Sequence, residues 1–170
     1  GLDEVNFQIG GMTQETHEIY RINSNLERIL TAIKETIRLK RKQNSKIRVL
    51  AGFIVMKHNE HEVEAFQNHM AEWGVDGTTI IDPCVRNMEQ GEKFLPKDQK
   101  YWSYDFDAFS KGVLKPKFQP KNRCDWIYYS LTIHVNGDVV PCCRDTKGKM
   151  VMGNLLNQDL DDVWNGKDYI

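Results

Sequence analysis

The sequence of 170 residues contains no apolar run of about 20 residues, the length that a helix needs to span a bilayer. Its N-terminus also lacks the charged and then apolar pattern of a secretory signal. We therefore expect a cytoplasmic protein with no membrane partner.

An excess of charge of either sign is also absent. The formal net charge is -1, with 28% charged and 40% hydrophobic residues, which is typical of a soluble globular protein. This balance gives no positive field for a polyanion, so we predict no nucleic-acid partner. Basic residues crowd the end of a predicted helix, where we interpret them as cations that stabilise its carboxyl-terminal dipole. They are Arg38, Lys40, Arg41 and Lys42.

Cysteine is scarce, with only Cys84, Cys124, Cys142 and Cys143 in the chain. Structural disulfides are not expected in a reducing compartment, so the cysteines point instead to metal binding or catalysis. No basic neighbour in the sequence favours a reactive thiolate at Cys84. We interpret Cys84 and Cys143 as packed or incidental residues.

The first 84 residues alternate between strand-like apolar runs and amphipathic helical patterns. The predicted strands are residues 5–9, 47–56 and 78–81. Helices are predicted after a Thr13 cap, after a capping box of Ser24 and Glu27, and after an Asn59 cap, the last one ending at Gly74.

This β-α-β-α-β order predicts an α/β fold with parallel strands and right-handed crossovers. Ligands bind such sheets outside the carboxyl ends of the strands. Residues 8–11, 57–59 and 82–84 are therefore expected to border an active site.

Periodic patterns are lost over residues 85–123, which are rich in Lys, Pro, Gly and aromatic residues. A stretch of this length without a pattern typically marks a domain junction or a segment that covers a substrate. We predict a linker or lid. Its aromatic residues either line a substrate path or pack the segment onto its domain. They include Trp102, Tyr104, Phe106 and Phe109.

The last part of the chain has the pattern of a β-hairpin. Apolar residues at 131–135 and 139–140 flank Asn136-Gly137, a strong signal for a hairpin turn. Residues 159–165 predict a short helix that covers the hairpin, with Leu160, Val163 and Trp164 available for packing.

Cys124 precedes the first strand of this hairpin and Cys142 follows the second, so the fold brings two thiolates to one end of the ribbon. Thiolates select zinc, copper or iron-sulfur clusters, which normally take about four protein ligands. Adjacent residues of a strand face opposite sides, so Cys142 and Cys143 should not reach one cluster together. The residues predict half of a metal site. A non-catalytic zinc-binding interaction module, with His134 as a further ligand, is the alternative.

The spacing C-x12-G-x4-C, from Cys124 through Gly137 to Cys142, resembles the opening of the SPASM or twitch domain of radical S-adenosylmethionine enzymes. The runs LTIHVNGDVVPCC, GNL and LxxVWNG agree with this resemblance. Residues 1–82 resemble the second half of that family's partial (β/α)6 barrel, through GLDEV, NLERIL and FIVMKHNEHEV.

The resemblance implies three regions. Residues 1–84 would be the C-terminal half of the radical-SAM partial barrel, residues 85–123 a linker or lid, and residues 124–170 a truncated SPASM/twitch iron-sulfur domain. It also implies an enzyme of the oxidoreductase or maturase type, which generates a deoxyadenosyl radical to modify a peptide side chain or a small metabolite. The implied electron donor is of the flavodoxin or ferredoxin type.

The implied cofactors are S-adenosyl-L-methionine, an auxiliary 4Fe-4S cluster held by Cys124 and Cys142, and a second 4Fe-4S cluster. The family holds that second cluster in a C-x3-C-x2-C loop, a motif that this sequence does not contain. We therefore expect a piece of the enzyme that is inactive alone, with the remaining auxiliary ligands beyond Ile170. No residue resembles a dedicated acid or base.

In this family the strand that matches residues 5–9 usually ends in S-x-D-G, whose serine contacts the cofactor. Here the motif is replaced by Gln8-Ile9-Gly10-Gly11. The amide of Gln8 can still hydrogen-bond a ribose or an amino group. Arg21 stands where relatives often place an arginine for the methionyl carboxylate. The resemblance thus implies cofactor contacts at Gln8 and Arg21, with a solvated arginine as the other interpretation of Arg21.

Four residues after the second predicted strand are of metal-ligand types: His58, Glu60, His61 and Glu62. His58 precedes the Asn59 cap and is not expected to share a helix face with His61. We therefore predict helix capping by Asn59 together with Glu62, in place of a metal site.

Overall fold

The structure, a computed structural model, describes residues 2–118 and 124–169. The chain divides into two compact units, Gly1–Phe118 and Gln119–Ile170. In the part of the chain that the structure describes, no helix is both long enough and apolar enough to cross a membrane.

The first unit is built on a parallel sheet of three strands: β1 (Glu4–Ile9), β2 (Arg48–Ile54) and β3 (Gly77–Ile81), in that spatial order. Two helices, α1 (Gln14–Tyr20) and α2 (Leu26–Lys42), connect β1 to β2, and α3 (Val63–Trp73) connects β2 to β3. The predicted β-α-β-α-β order with parallel pairing is confirmed.

One face of the sheet packs against the helices. Alternate strand residues form this face because side chains point to opposite sides along a strand. The buried core consists mainly of Ile9, Val49, Ala51 and Phe53 from the strands, with Leu26, Ile33, Ile37, Phe66 and Met70 from the helices. The rings of Phe53 and Phe66 lie 5.0 Å apart between centroids. The other face carries Gln8, Gly52 and Thr79 in one row across the strands.

The beginnings of the helices differ in part from the sequence analysis. Thr13 caps α1 as predicted, in a reciprocal pair with Thr16. The predicted capping box of Ser24 and Glu27 is wrong, because Asn25 is the cap of α2 and its side chain accepts a hydrogen bond from the backbone N of Arg28. The Ser24 hydroxyl instead lies 3.1 Å from Nε2 of His17.

Residues 85–118 contain more regular structure than their sequence pattern indicates. They form α4 (Met88–Phe94), a 3-10 turn (Gln99–Tyr101) and α5 (Phe106–Ser110) within the first unit. Each of these elements is capped by an Asn or Asp side chain, and none is long enough for a clear helical period.

The same segment has a small core of its own. It consists of Val85, Leu95, Trp102 and Tyr104, with Phe109 packed against it. The indole of Trp102 donates to the carbonyl of Pro96 at 2.7 Å, which anchors the ring in this core. These contacts favour the packing interpretation of the aromatic residues. A lid function for this segment stays a prediction.

The second unit is a small antiparallel sheet of β4 (Thr132–Ile133), β5 (Asp138–Val140) and β6 (Gly153–Asn154), followed by α6 (Leu160–Trp164). The hairpin of β4 and β5 was predicted, whereas β6 was not. Of the pair Asn136-Gly137 only Gly137 has a positive φ, of 84°. The backbone N of His134 donates to the carbonyl of Asp138 at 2.8 Å and closes the turn. Val163 of α6 is buried beside Gly153, as expected for a helix that covers the sheet, whereas Leu160, also expected to pack there, is 50% exposed.

Candidate cofactor and metal sites

The loops that follow β1 and β2 are joined at the carboxyl edge of the sheet by the side chain of Asn59. This residue is fully buried. Its Nδ2 donates to the carbonyls of Gly10, at 2.8 Å, and Ile54, at 2.9 Å. Its Oδ1 accepts from the backbone N of Met56 at 2.6 Å. The predicted cap is therefore wrong, because the side chain is engaged by these three backbone groups and makes no cap hydrogen bond.

The carboxylate of Glu62 makes a second connection between these loops. It accepts hydrogen bonds from the backbone N of Met12, at 2.9 Å, and from the hydroxyl of Thr16, at 2.9 and 3.0 Å. Glu62 is buried, with 6% of its surface exposed. The predicted capping pair of Glu62 with Asn59 is wrong. Glu62 instead fixes the start of α1 from the neighbouring loop.

Gln8 lies on the sheet face that the helices leave uncovered. Its side chain extends over Gly52 of β2, where an added Cβ would come within 2.6 Å of the amide. Its Nε2 donates to Oδ1 of Asn6 at 3.0 Å. Its Oε1 is buried and has no hydrogen-bond partner. The amide is therefore oriented by Asn6 and has one acceptor left over.

Arg21 is the first residue after α1, and its backbone N donates to the carbonyl of His17 at 3.0 Å. The stem of its side chain lies beside Gly10, where an added Cβ would be 3.5 Å from Cγ. Its Nε is buried without a hydrogen-bond partner. A buried polar atom without a partner is rare in folded proteins, so these atoms fit contacts to a bound molecule.

His17 connects the loop after β1 to the residues before α2 through hydrogen bonds to Gly10 and Ser24. It was not predicted as a site residue from the sequence. The ring is fully buried. Its Nδ1 accepts from the backbone N of Gly10 at 3.1 Å, so Nε2 carries the proton toward the hydroxyl of Ser24. Burial, and then the charge of Arg21, lower the pKa of His17 below its usual value. The ring is therefore neutral at physiological pH.

In the second unit Cys142 follows the end of β5 by two residues and is half-buried. The backbone N of Arg144 donates to its Sγ at 3.4 Å, and its carbonyl accepts from the backbone N of Asp145 at 3.0 Å. The sulfur of Cys142 is thus held in place by a backbone N–H of its own loop.

Asp145 organises the loop that carries Cys142. Its carboxylate accepts from the backbone N of Lys149, at 2.9 Å, and of Met150, at 2.7 Å. These two bonds are the main reason why the pKa of Asp145 lies below its usual value. Asp145 was not predicted from the sequence, although Asp is a common turn residue that hydrogen-bonds nearby backbone N–H groups.

Cys124 is exposed and directly precedes a 3-10 turn, Asp125–Tyr128. This turn and the segment before Cys142 border one pocket of about 330 Å³. The pocket is lined by Ile127, Tyr128, Pro141, Met152, Trp164, Asn165 and Tyr169. The segments next to the two predicted ligands thus border the same pocket, although neither Cys124 nor Cys142 is among its lining residues.

The other cysteines and the histidines provide no complete site. Cys84 and Cys143 are exposed. Because β5 ends at Val140, strand alternation does not extend to the pair Cys142 and Cys143. Within residues 2–118 and 124–169, no group of three or more His, Cys, Asp or Glu side chains is placed to hold a metal ion.

Residues 124–170 match the family model of the SPASM iron-sulfur cluster-binding domain. The predicted SPASM resemblance is confirmed by this match. No curated protein matches the chain. Among solved structures, the crystal structure of selenomethionine BtrN in an open conformation is similar, with 15% sequence identity and a TM-score of 0.30. The similarity covers 80% of this chain and 53% of that one, so the chain spans about half of its length.

Proposed function

We propose that this chain is part of a radical S-adenosylmethionine enzyme, in which residues 1–84 contribute to cofactor binding and residues 124–170 bind an auxiliary 4Fe-4S cluster. The observation that carries the proposal is the match of residues 124–170 to the SPASM iron-sulfur cluster-binding domain. The parallel sheet of the first unit, with polar side chains at the carboxyl ends of β1 and β2, is compatible with it.

S-adenosylmethionine is the cofactor that we assign to the first unit. Its carboxylate would pair with the guanidinium of Arg21, whose Nε has no partner within the described chain. Its amino group or a ribose hydroxyl would donate to Oε1 of Gln8, which Asn6 holds in the acceptor orientation. The glycine at position 52 leaves room for the Gln8 side chain on the open face of the sheet.

Cys124 and Cys142 are the residues that would ligate the auxiliary cluster. Their segments border one pocket, and Cys142 already receives an N–H from Arg144. Two thiolates supply about half of the ligands that a 4Fe-4S cluster takes, so further ligands complete the site. The apolar and aromatic residues of the pocket would limit the access of solvent to it.

When bound, reduced iron-sulfur clusters and S-adenosylmethionine together supply one-electron chemistry for hydrogen abstraction from a substrate. The residues of this chain bind and orient the cofactor and exclude water. We propose a peptide side chain or a small metabolite as substrate, and a flavodoxin- or ferredoxin-type electron donor. A cytoplasmic location fits this chemistry because the free thiols of the cluster site need a reducing compartment.

The proposal is tested by purifying the full-length protein anaerobically and measuring iron, acid-labile sulfide and zinc. We expect iron and sulfide in equal amounts, and cleavage of S-adenosylmethionine to 5′-deoxyadenosine after reduction by dithionite. Stoichiometric zinc without sulfide would instead establish the zinc-binding module.

A further inference from the structure

Three buried side-chain atoms of the described chain lack a hydrogen-bond partner, and all three belong to the first unit. They are Oε1 of Gln8, Nε of Arg21 and Nε2 of His58. Cofactor contacts at Gln8 and Arg21 are implied by the family resemblance alone. His58 shares their structural property but has no assigned role.

His58 lies in the turn between β2 and the 3-10 turn Glu60–Glu62. Because β1 and β2 are parallel neighbours, with Gln8 opposite Gly52, this turn lies at the same edge of the sheet as the end of β1. The next residue, Asn59, donates to the carbonyl of Gly10 at 2.8 Å and so holds the turn against the β1–α1 loop.

The segments that carry the three unpartnered side chains connect at Gly10. Gln8 lies in β1, which ends one residue before Gly10. The stem of Arg21 lies beside it, at 3.5 Å from an added Cβ. His58 is joined to it through the Asn59 bond. The segments that carry the three groups are therefore joined at the carboxyl edge of the sheet.

The hydrogen-bonding capacity of His58 follows from its surroundings. Its Nε2 is buried and has no hydrogen-bond partner within the described chain. Burial lowers the pKa of His58, and the neighbouring backbone of Thr16 opposes this effect in part. In the neutral tautomer that carries its proton on Nδ1, Nε2 can accept a hydrogen bond from a bound molecule.

We propose that Nε2 of His58 accepts a hydrogen bond from an amino or hydroxyl group of the same molecule whose carboxylate is paired by Arg21. One cationic donor and two neutral acceptors around Gly10 fit an amino acid head group joined to a hydroxyl-bearing sugar. This assignment rests on the proposed function, which identifies that molecule as S-adenosylmethionine, and adds His58 as a third contact.

The experiment measures binding of S-adenosylhomocysteine, an unreactive analogue with the same head group and ribose, to the full-length protein by calorimetry. In H58F the ring is kept and the acceptor is removed. We expect the Kd to rise about three- to tenfold, the effect of one lost neutral hydrogen bond. H58Q, which places an amide oxygen near the position of Nε2, should recover at least part of the affinity.

H61F is the matched control, because His61 is an exposed histidine in the next turn. It should bind like the wild type. Thermal unfolding of the ligand-free variants and of the ligand-bound variants separates folding from binding, since a contact to the ligand reduces the ligand-induced rise in Tm. A purely structural role would lower the Tm of ligand-free H58F and leave that rise unchanged.

If the wild-type protein binds S-adenosylhomocysteine and H58F binds it with the same Kd, the assignment of His58 is overturned and the proposed function stays intact. Absence of binding to the wild-type protein, at concentrations up to the millimolar range, would overturn the S-adenosylmethionine assignment and the role of His58 with it. A protein that retains iron and sulfide in that case would still satisfy the proposal for residues 124–170.

Discussion

Asn59 donates a hydrogen bond of 2.8 Å to the carbonyl of Gly10, a residue 49 positions earlier in the chain. The bond joins the turn after β2 to the end of β1, where the unpartnered amide oxygen of Gln8 and the guanidinium of Arg21 lie. The candidate cofactor site is thus held in shape by a side chain that contacts only backbone groups.

We expect N59A to lower the free energy of unfolding by about 2–4 kcal/mol, because two buried backbone groups and one partly buried group lose their partner. Urea unfolding followed by circular dichroism measures this change. N68A is the control, since Asn68 is exposed on α3. A loss below about 0.5 kcal/mol in N59A, the range of ordinary surface substitutions, would contradict the role given to Asn59.

His17 makes stability depend on pH. Burial holds its pKa below the usual value of 6.5, so the unfolded chain binds more protons than the folded chain as the pH falls below that value. The stabilising effect of neutral His17 is therefore fully present above pH 6.5 and is lost progressively on acidification. His58, whose pKa is also lowered by burial, acts in the same direction.

We predict that unfolding free energies measured by urea at pH 7.5, 6.5 and 5.5 decrease along this series. H17N keeps an acceptor near the position of Nδ1 but does not titrate, so its decrease should be smaller. Each unit of difference between the folded and unfolded pKa corresponds to about 1.4 kcal/mol. H61N, altered at an exposed histidine, should follow the wild type. Equal slopes for H17N and the wild type would refute this prediction.

Arg21 provides a direct test of the cofactor assignment. R21A should weaken binding of S-adenosylmethionine to the full-length protein by about 1.5–3 kcal/mol, the value of a charge-assisted hydrogen bond. R21K keeps the charge without the planar fork and should recover only part of this loss. Calorimetry measures the affinities, with R28A as an exposed arginine control. The solvated-arginine interpretation predicts instead that R21A and R28A bind alike.

The sequence predicted the order of the strands and helices over residues 1–84 well, because the main elements there are long or have a clear period. The helix α2 repeats its apolar residues at helical spacing over 17 residues, and β2 is an apolar run. The polar contacts between loops were not predicted. The bonds that join Asn59 to Gly10 and Met12 to Glu62 connect residues about 50 positions apart in the chain. The local sequence instead indicated a helix cap formed by Asn59 and Glu62, because Asn often bonds nearby backbone groups.

The short elements were also missed for a physical reason. The strand β6 has two residues, Gly153 and Asn154, which carry no strand propensity. They pair with β5, and the side chain of Asn154 donates to the carbonyl of Asn136 at 3.0 Å and to the carboxylate of Asp138 at 2.9 Å. Their conformation is thus set by contacts that become visible only in the folded unit.

Asp145 should control how firmly Cys142 is positioned. Removing its carboxylate in D145A leaves the backbone N–H groups of Lys149 and Met150 without their acceptor. Loss of a group that orients a metal ligand typically costs about 10- to 100-fold in metal affinity. We expect faster release of iron to a chelator from D145A than from the wild type, with D168A as the control at an exposed aspartate. Identical release rates in D145A and D168A would show that the loop holds Cys142 without this carboxylate.

Substitution of each of the four cysteines tests whether residues 124–170 bind the auxiliary cluster through the proposed ligands. We expect C124S and C142S to lose the iron of the auxiliary cluster in the full-length protein, and C143S and C84S to keep it. Cys142 is half-buried with an N–H directed at its sulfur, and the segment after Cys124 borders the same pocket as the segment before Cys142. Cys143 and Cys84 are exposed, and Cys84 lies in the other unit.

Iron and acid-labile sulfide counted in the four variants test this expectation, with the Tm of each variant as a check on folding. The choice between adjacent cysteines rests on the surroundings of each sulfur, because β5 ends at Val140 and strand alternation does not reach them. Full iron content in C142S, together with loss of iron in C143S, would mean that Cys143 is the ligand. In that case the loop fixed by Asp145 would direct the neighbouring thiol to the cluster, and the N–H of Arg144 would stabilise a thiol that binds no metal.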